Sequence, residues 1–198
     1  MNFEMVMALS SALDARDKYT AGHSKRVMEY AVGIAKHLEL PKKDIDRLKI
    51  SALLHDIGKV GIPDAVLHKE SKISDKEFAI IKKHPGIGAN ILETIGAFKD
   101  LVPIVYHHHE RFDGMGYPQG IYGEQIPLYA RIIAVADSFD AMTSTRPYRK
   151  ALPIETALLE IELNGGKQFD PSISDVFLAN FVNIFDGVLN NIEPEYSI

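Results

Sequence analysis

His55 and Asp56 stand side by side, with Lys59 one helical turn beyond the histidine. The apolar run Ile50-Ser51-Ala52-Leu53-Leu54 leads into them, and Val60-Gly61-Ile62-Pro63-Asp64 follows, reading as the end of a helix. Two side chains able to bind a metal and one cation therefore leave a buried helix together. A buried carboxylate is costly unless it is paired or coordinates a metal, so other segments must supply partners. The histidines are the first place to look. There are 8, and His55, His84, His107, His108 and His109 all fall in the middle of the chain.

The remaining candidates sit at helix ends or inside apolar segments. His23 lies four residues before Val27, which begins the helical series Val27, Tyr30, Ala31, Ile34, Ala35, Leu38. Taken alone, a capping or core role would account for it. His84 precedes Pro85, and a residue before proline is pushed away from helix, so His84 is expected at a helix boundary. Three consecutive histidines, His107 to His109, cannot all face one core. On a helix two of them straddle one site while the third turns away. Asp137 is embedded among Ile132, Ile133, Val135 and Ala136, with Asp140 one turn later. Arg111 to Gly120 form a glycine-rich loop around Tyr117, which reads either as a functional loop or as a plain surface excursion. Arg146-Pro147-Tyr148-Arg149-Lys150 is a basic cluster that by itself would pass for a solvated turn.

The elements that must position these residues are helical. Residues 3–16 carry Phe3, Val6, Met7, Leu9 and Leu13 without a breaker. Pro41, with Asp44 after it, opens the helix that delivers His55 and Asp56. Residues 60–73 carry few helical signals, and Ser74-Asp75-Lys76-Glu77 is a capping box for a short helix ending at His84-Pro85. Further helices are expected from Gly86 to Ile95, from Pro127, from Pro153 to Asn164-Gly165-Gly166, and from Asp170-Pro171 to about residue 183. Strand alternation is absent. The expectation is one all-α domain over residues 1–198, with a core of about 12–185 and a tail at 186–198.

Composition narrows the function classes. Hydrophobic residues make up 46% and charged residues 25%, as in an ordinary globular protein, and no apolar run reaches the length of a membrane span. No signal-peptide pattern opens the chain and no cysteine occurs, which points to the cytoplasm and excludes disulfides, zinc–thiolate sites and thiol nucleophiles. A net charge of -5 disfavours general nucleic-acid binding, while a small anion can still be held in a locally positive pocket.

Five histidines (23, 55, 84, 108, 109) and two aspartates (56, 137) make up the candidate ligand set. Nitrogen and carboxylate donors without thiolate suit iron, manganese, zinc or nickel. Seven donors exceed the needs of one catalytic ion, so two ions sharing a carboxylate fit better, with Asp56 as the natural bridge. Two ions about 3.5–4 Å apart can generate a hydroxide at neutral pH and clamp a phosphoryl group. Lys59, Arg146 and Arg149 would supply positive charge for phosphate oxygens.

From about Ala12 to Phe169 the chain resembles the HD-GYP branch of the HD-domain phosphohydrolases. The resemblance rests on His55-Asp56-Ile57-Gly58-Lys59, on His108-His109-Glu110 with Asp113-Gly114 and Gly116-Tyr117-Pro118, and on the flanking Arg16-Asp17, Gly22-His23-Ser24, Lys83-His84-Pro85, Ala136-Asp137 and Arg146-Pro147-Tyr148-Arg149. It implies a bundle of about seven helices with a metal site in its core. It implies hydrolysis of the bacterial second messenger cyclic di-GMP to pGpG, GMP or both, by attack of a metal-bridging hydroxide. Metal ligands would be His55, Asp56, His84, His108, His109 and Asp137, with His23 as a further one, and the ions iron or manganese. Members with three ions use a glutamate one turn before that histidine. Tyr19 stands there, so two ions are expected. Lys59, Tyr117, Asp140, Arg146 and Arg149 match positions that contact phosphate or guanine, Asp56 and Lys59 being the catalytic pair. The resemblance also allows a homodimer and an upstream sensor or receiver domain. The alternatives are an HD-domain nucleotide phosphohydrolase of other specificity and a cyclic-dinucleotide-binding module without turnover.

Overall fold

The helix after Gly22 is buried on nearly every side. Val27, Ala31, Ile34 and Ala35 are sealed from solvent, and Met28, Tyr30 and Val32 nearly so. Such a segment has to run through the middle of a bundle. A computed structural model of the chain describes residues 3–16, 22–69, 71–145 and 150–191. In it this helix is the hub, packed by neighbours from both halves of the sequence.

Eleven α-helical segments occur among the described residues: α1 (Phe3–Arg16), α2 (His23–His37), α3 (Lys42–Leu54), α4 (Asp64–Leu67), α5 (Asp75–Ile81), α6 (His84–Glu93), α7 (Val102–His107), α8 (Leu128–Thr143), α9 (Ile154–Leu163), α10 (Pro171–Ala179) and α11 (Phe181–Asn191). Short 3-10 turns cover Ile57–Gly61, Gly96–Leu101 and Gly123–Gln125. No strand forms among the described residues, only an isolated bridge between Gly165 and Phe169. The all-helical expectation is borne out. The number of segments exceeds seven because several are a single turn or two, cut short where prolines and glycines redirect the chain.

Packing on α2 follows from its side chains. α3 and α8 flank it, and α11 crosses it at Gly33. A Cβ on Gly33 would lie 2.7 Å from Ile184 Cγ2, so the glycine admits α11. Tyr30 of α2, Phe139 of α8, Phe177 of α10 and Phe181 of α11 meet edge to face, with successive ring centroids 5.1–5.7 Å apart.

Two boundaries differ from expectation. The last helix is not continuous to about residue 183: α10 and α11 meet at Asn180 with a bend of 72°. The bend lets Ile173 and Phe177 on one side, and Ile184 and Val188 on the other, reach the same core. His84 opens α6 rather than closing α5, because Pro85 is tolerated in a first turn, where its missing N–H is not needed. Among the described residues no single helix is long and apolar enough to cross a membrane.

Candidate metal centre

The buried end of α3 begins the site. His55 follows the last residue of α3 and is sealed from solvent; Asp56, 6% exposed, then starts the 3-10 turn. The turn can lie directly on α6 because residue 58 is glycine. A Cβ there would sit 1.9 Å from the His84 carbonyl oxygen. This close approach brings Asp56 against His84. On the far side Arg16, the last residue of α1, donates to the carbonyls of Lys59 and Ile62 at 2.9 Å each and pairs with Asp64 at 2.8 Å. The short segment carrying Asp56 and Lys59 is thus held from two sides.

Three histidines are oriented by the same device. Nδ1 of His55, His84 and His108 donates to the carbonyl three residues back, Ala52 at 2.6 Å, Ile81 at 2.8 Å and Val105 at 2.7 Å. The bond fixes the tautomer and leaves Nε2 bare and aimed inward. His23 does the same with a carboxylate, its Nδ1 lying 2.7 Å from Asp140 Oδ2.

Asp56 faces two groups at once. Its Oδ1 lies 3.2 Å from His84 Nε2 and 4.0 Å from His108 Nε2. Its Oδ2 lies 3.4 Å from His55 Nε2, 3.9 Å from His23 Nε2 and 2.8 Å from Lys59 Nζ. Asp56, His84, His108 and His109 bring donor atoms within 4.8 Å of one another, and so do His23, His55 and Asp56. Asp137 joins the second group through His23, with Oδ1 3.3 Å from its Nε2.

These residues fit divalent cations. His84 Nε2 and His108 Nε2 are 3.2 Å apart. With both Nδ1 atoms donating to the backbone, two lone pairs face each other, and that is favourable only with a cation between them. His55 Nε2 is buried without a hydrogen-bond partner. The charges agree. Burial works against a charged Asp56, yet Lys59 and His55 hold its carboxyl well below the usual range. Burial, aided by neighbouring His84, takes His109 down to about 3, and burial with His109 beside it takes His108 well down, so both rings stay neutral, as metal donors must be. His23 resists its burial and is held up to about 9 by Asp137 and Asp140. Its pocket attracts positive charge.

The remaining expected residues fall in different places. Lys59 stands at the rim, partly exposed, on the Asp56 carboxylate. Tyr117 leans over His109, ring centroids 4.9 Å apart, and burial together with Asp56 and Asp137 pushes its phenol above the ordinary range. Asp140 lies behind His23. It is 2% exposed, and its carboxylate is taken up by His23, by Arg26 at 2.5 and 3.0 Å, and by Ser144 at 3.4 Å. Through these contacts it supports the His23 ring from behind. Arg146, Arg149 and Tyr19 lie outside the described residues. His107 turns away from the centre, its Nδ1 3.6 Å from Glu110 Oε1.

Sequence reasoning passed over Arg26 and Asp14, and named Glu110 within a motif without giving it a role. Arg26 is one turn after His23, a spacing that could have flagged it. Buried Glu110 accepts from the N–H groups of Gln119 at 2.7 Å and Gly120 at 3.0 Å, closing the loop that carries Tyr117. Gly116 lets that loop fold back, since a Cβ there would meet the Arg111 nitrogen at 2.3 Å. Asp14 accepts from Ser24 Oγ at 2.7 Å and so fixes the start of α2. Beside His108, His109 and Asp137 a polar cavity of about 40 Å³ reaches Ser138 and Gln168, enough room for water.

The chain belongs to the HD domain family, whose model matches residues 7–173. It is 42% identical over 167 residues to the 3'3'-cGAMP-specific phosphodiesterase 3 of Vibrio cholerae, a match covering 84% of this chain and 36% of that protein. It is 40% identical over 182 residues to the cyclic di-GMP phosphodiesterase response regulator RpfG of Xanthomonas campestris, covering 88% of this chain and 47% of that one. The chain thus spans less than half the length of both relatives. A solved structure of a cyclic GMP-AMP specific phosphodiesterase from V. cholerae superposes with a TM-score of 0.72 at 23% identity, covering 93% of this chain and 50% of the other, and shows the shared fold. The family read from the motifs is borne out.

Proposed function

We propose that this chain is a metal-dependent phosphodiesterase that hydrolyses cyclic di-GMP to the linear dinucleotide pGpG, GMP or both. The observation that carries the reading is Asp56, whose two oxygens face two separate histidine groups. Relatives named as cyclic di-GMP phosphodiesterases support the substrate. Bound by His23, His55, Asp56, His84, His108, His109 and Asp137, two divalent ions, iron or manganese, would supply Lewis acidity and lower the pKa of water near a phosphoryl group.

The chain's own residues do the rest. Asp56 ties the two groups into one centre. Lys59 Nζ, at the rim, holds a phosphate oxygen and offsets charge that grows there in the transition state. Tyr117, kept protonated by its surroundings, presents a ring face and an O–H donor to the substrate. Arg146 and Arg149 complete the phosphate contacts in this reading, and Tyr19 favours two ions over three. A homodimer through α1 fits its exposed Phe3, Met5 and Leu9, and an upstream receiver fits the response regulator among the relatives. Residues 1–198 act as one domain, in the cytoplasm, where such a messenger would be met.

Metal-loaded protein incubated with cyclic di-GMP is expected to give pGpG or GMP by chromatography. Asp56→Ala is expected to lose both bound metal and turnover. Stoichiometric metal without product, or turnover surviving Asp56→Ala, overturns the reading. A second substrate, 3'3'-cGAMP, is favoured by the name of the relative at 42% identity, and parallel assays with both dinucleotides rank them. The intact donor set counts against a binding module without turnover.

A further inference from the structure

Four histidines at the centre have a protein partner on the outer ring nitrogen: backbone carbonyls for His55, His84 and His108, and Asp140 for His23. Among the described residues no carbonyl or carboxylate does the same for His109. A neutral imidazole that gives one nitrogen to a cation carries its hydrogen on the other, and that N–H needs an acceptor. Beside His109 lies the polar cavity of about 40 Å³, shared with Asp137, Ser138 and Gln168, with room for a water. Its far wall is fixed from several directions. The Phe112 N–H donates to the Gln168 carbonyl at 3.2 Å and the Asp113 N–H to that of Lys167 at 2.7 Å, so this turn is tied to the loop that follows His109. Arg111 carries donors only. Its 3.1 Å contact therefore holds Gln168 Oε1 toward the guanidinium and turns Nε2 to Ser138 Oγ, 3.3 Å away. Arg111 is itself held by Asp113 at 2.7 and 3.1 Å. Ser138 Oγ, accepting from Gln168, keeps its own O–H to donate.

We propose that Ser138 and Gln168 are positioning residues that seat a water on the outer N–H of His109. The water accepts from that N–H and from the Ser138 O–H, and it donates to the Asp137 carboxylate. Three partners are the ordinary complement of a buried water. His109 belongs to one donor group and Asp137 adjoins the other through His23. The water thus joins the two groups from outside, as Asp56 joins them from within. Ser138 and Gln168 act through His109 and Asp137, and neither is a ligand. The proposal deepens the phosphodiesterase reading and rests on its metal centre, not on the identity of its substrate.

The test is calorimetric titration of metal-free protein with Zn2+, together with nitrogen NMR of the Zn2+-loaded chain. The variants are Gln168→Leu, Ser138→Ala and Ser138→Thr, with Lys167→Ala as a control next door. Gln168→Leu and Ser138→Ala are expected to weaken one Zn2+ about tenfold and to leave the other within about twofold, while Ser138→Thr and Lys167→Ala match the original chain. In the original chain the outer His109 N–H is expected to give a sharp resonance with cross-relaxation to a bound water, and in Gln168→Leu and Ser138→Ala that resonance is expected to broaden. A lower melting temperature with unchanged Zn2+ affinity assigns Gln168 to the fold alone and overturns the proposal, as does a His109 resonance that is the same in every variant. Should a variant fail to fold, the original chain decides: a His109 N–H without cross-relaxation to bound water overturns the proposal. These effects on Zn2+ without turnover of cyclic di-GMP uphold the water site and refute only the phosphodiesterase reading; absence of Zn2+ binding overturns both.

Discussion

The two aspartates of α8 show how one helical turn separates a residue at the centre from its support. Asp137 reaches His23 Nε2 from the side of the centre, and Asp140 holds the Nδ1 of the same ring from behind. A residue that orients a metal-binding histidine typically contributes roughly 10–100-fold to affinity. If two ions bind as proposed, Asp140→Asn is therefore expected to weaken one of them by about that factor and leave the other in place, as read by metal titration. Equal loss at both would show that Asp140 holds the whole centre together. The sequence made this pair only half legible. Its spacing put Asp137 and Asp140 on one face of a helix inside an apolar run. The partner that occupies Asp140 is Arg26, 114 residues away, and a side chain's own segment says nothing about so distant a neighbour. The histidines were more legible because their number, their positions before proline or after apolar runs, and the lack of cysteine all pointed to one chemistry.

Short elements set the shape of the site. The 3-10 turn after α3 depends on Gly58, and Gly58→Ala would force a methyl group into the His84 backbone. Overpacking of this kind costs about 1–3 kcal/mol, and the displaced turn carries Asp56. The expected outcome is a lower melting temperature together with loss of bound metal; wild-type values for both would mean that the approach is looser than it looks. α5 depends on charge. Lys69 and Ser74 hold the exposed Glu77 carboxyl at about 2, below its ordinary 4.5. A depressed carboxylate contributes its stability above the unfolded value and loses it as pH falls through the folded one. α5 is thus expected to loosen between pH 4.5 and about 2, seen as a shift in the ring resonances of Phe78. Glu77→Gln should abolish that titration. The capping box of α5 was readable from four residues. The 3-10 turn after α3 was not, since it follows from how α6 meets the end of α3.

At the scale of the molecule the helical class was legible throughout, because apolar positions recur at helical spacing from Phe3 onward. The break at Asn180 was not. The chain there carries neither proline nor glycine, and the 72° bend is decided by a core that both helices must reach. The hub position of α2 was hidden for a similar reason: its periodicity announced a helix, but only assembly shows that its faces are covered by α3, α8 and α11. One feature of the centre reaches through this whole architecture. His55, His84 and His108 take their orientation from carbonyls in the last helical turns before them. Ions held by these rings would consequently clasp three chain crossings that share no covalent neighbour, and would behave as a removable cross-link. A ligand that binds only the folded chain adds about 2.7 kcal/mol at a hundred times its dissociation constant. Stripping the metal with a chelator should lower the melting temperature by several degrees and speed hydrogen exchange first at the ends of α3 and α7, with the aromatic cluster around Phe139 opening last. Uniform loosening would place the clasp elsewhere. Metal supply would then govern the lifetime of the folded protein as well as its chemistry.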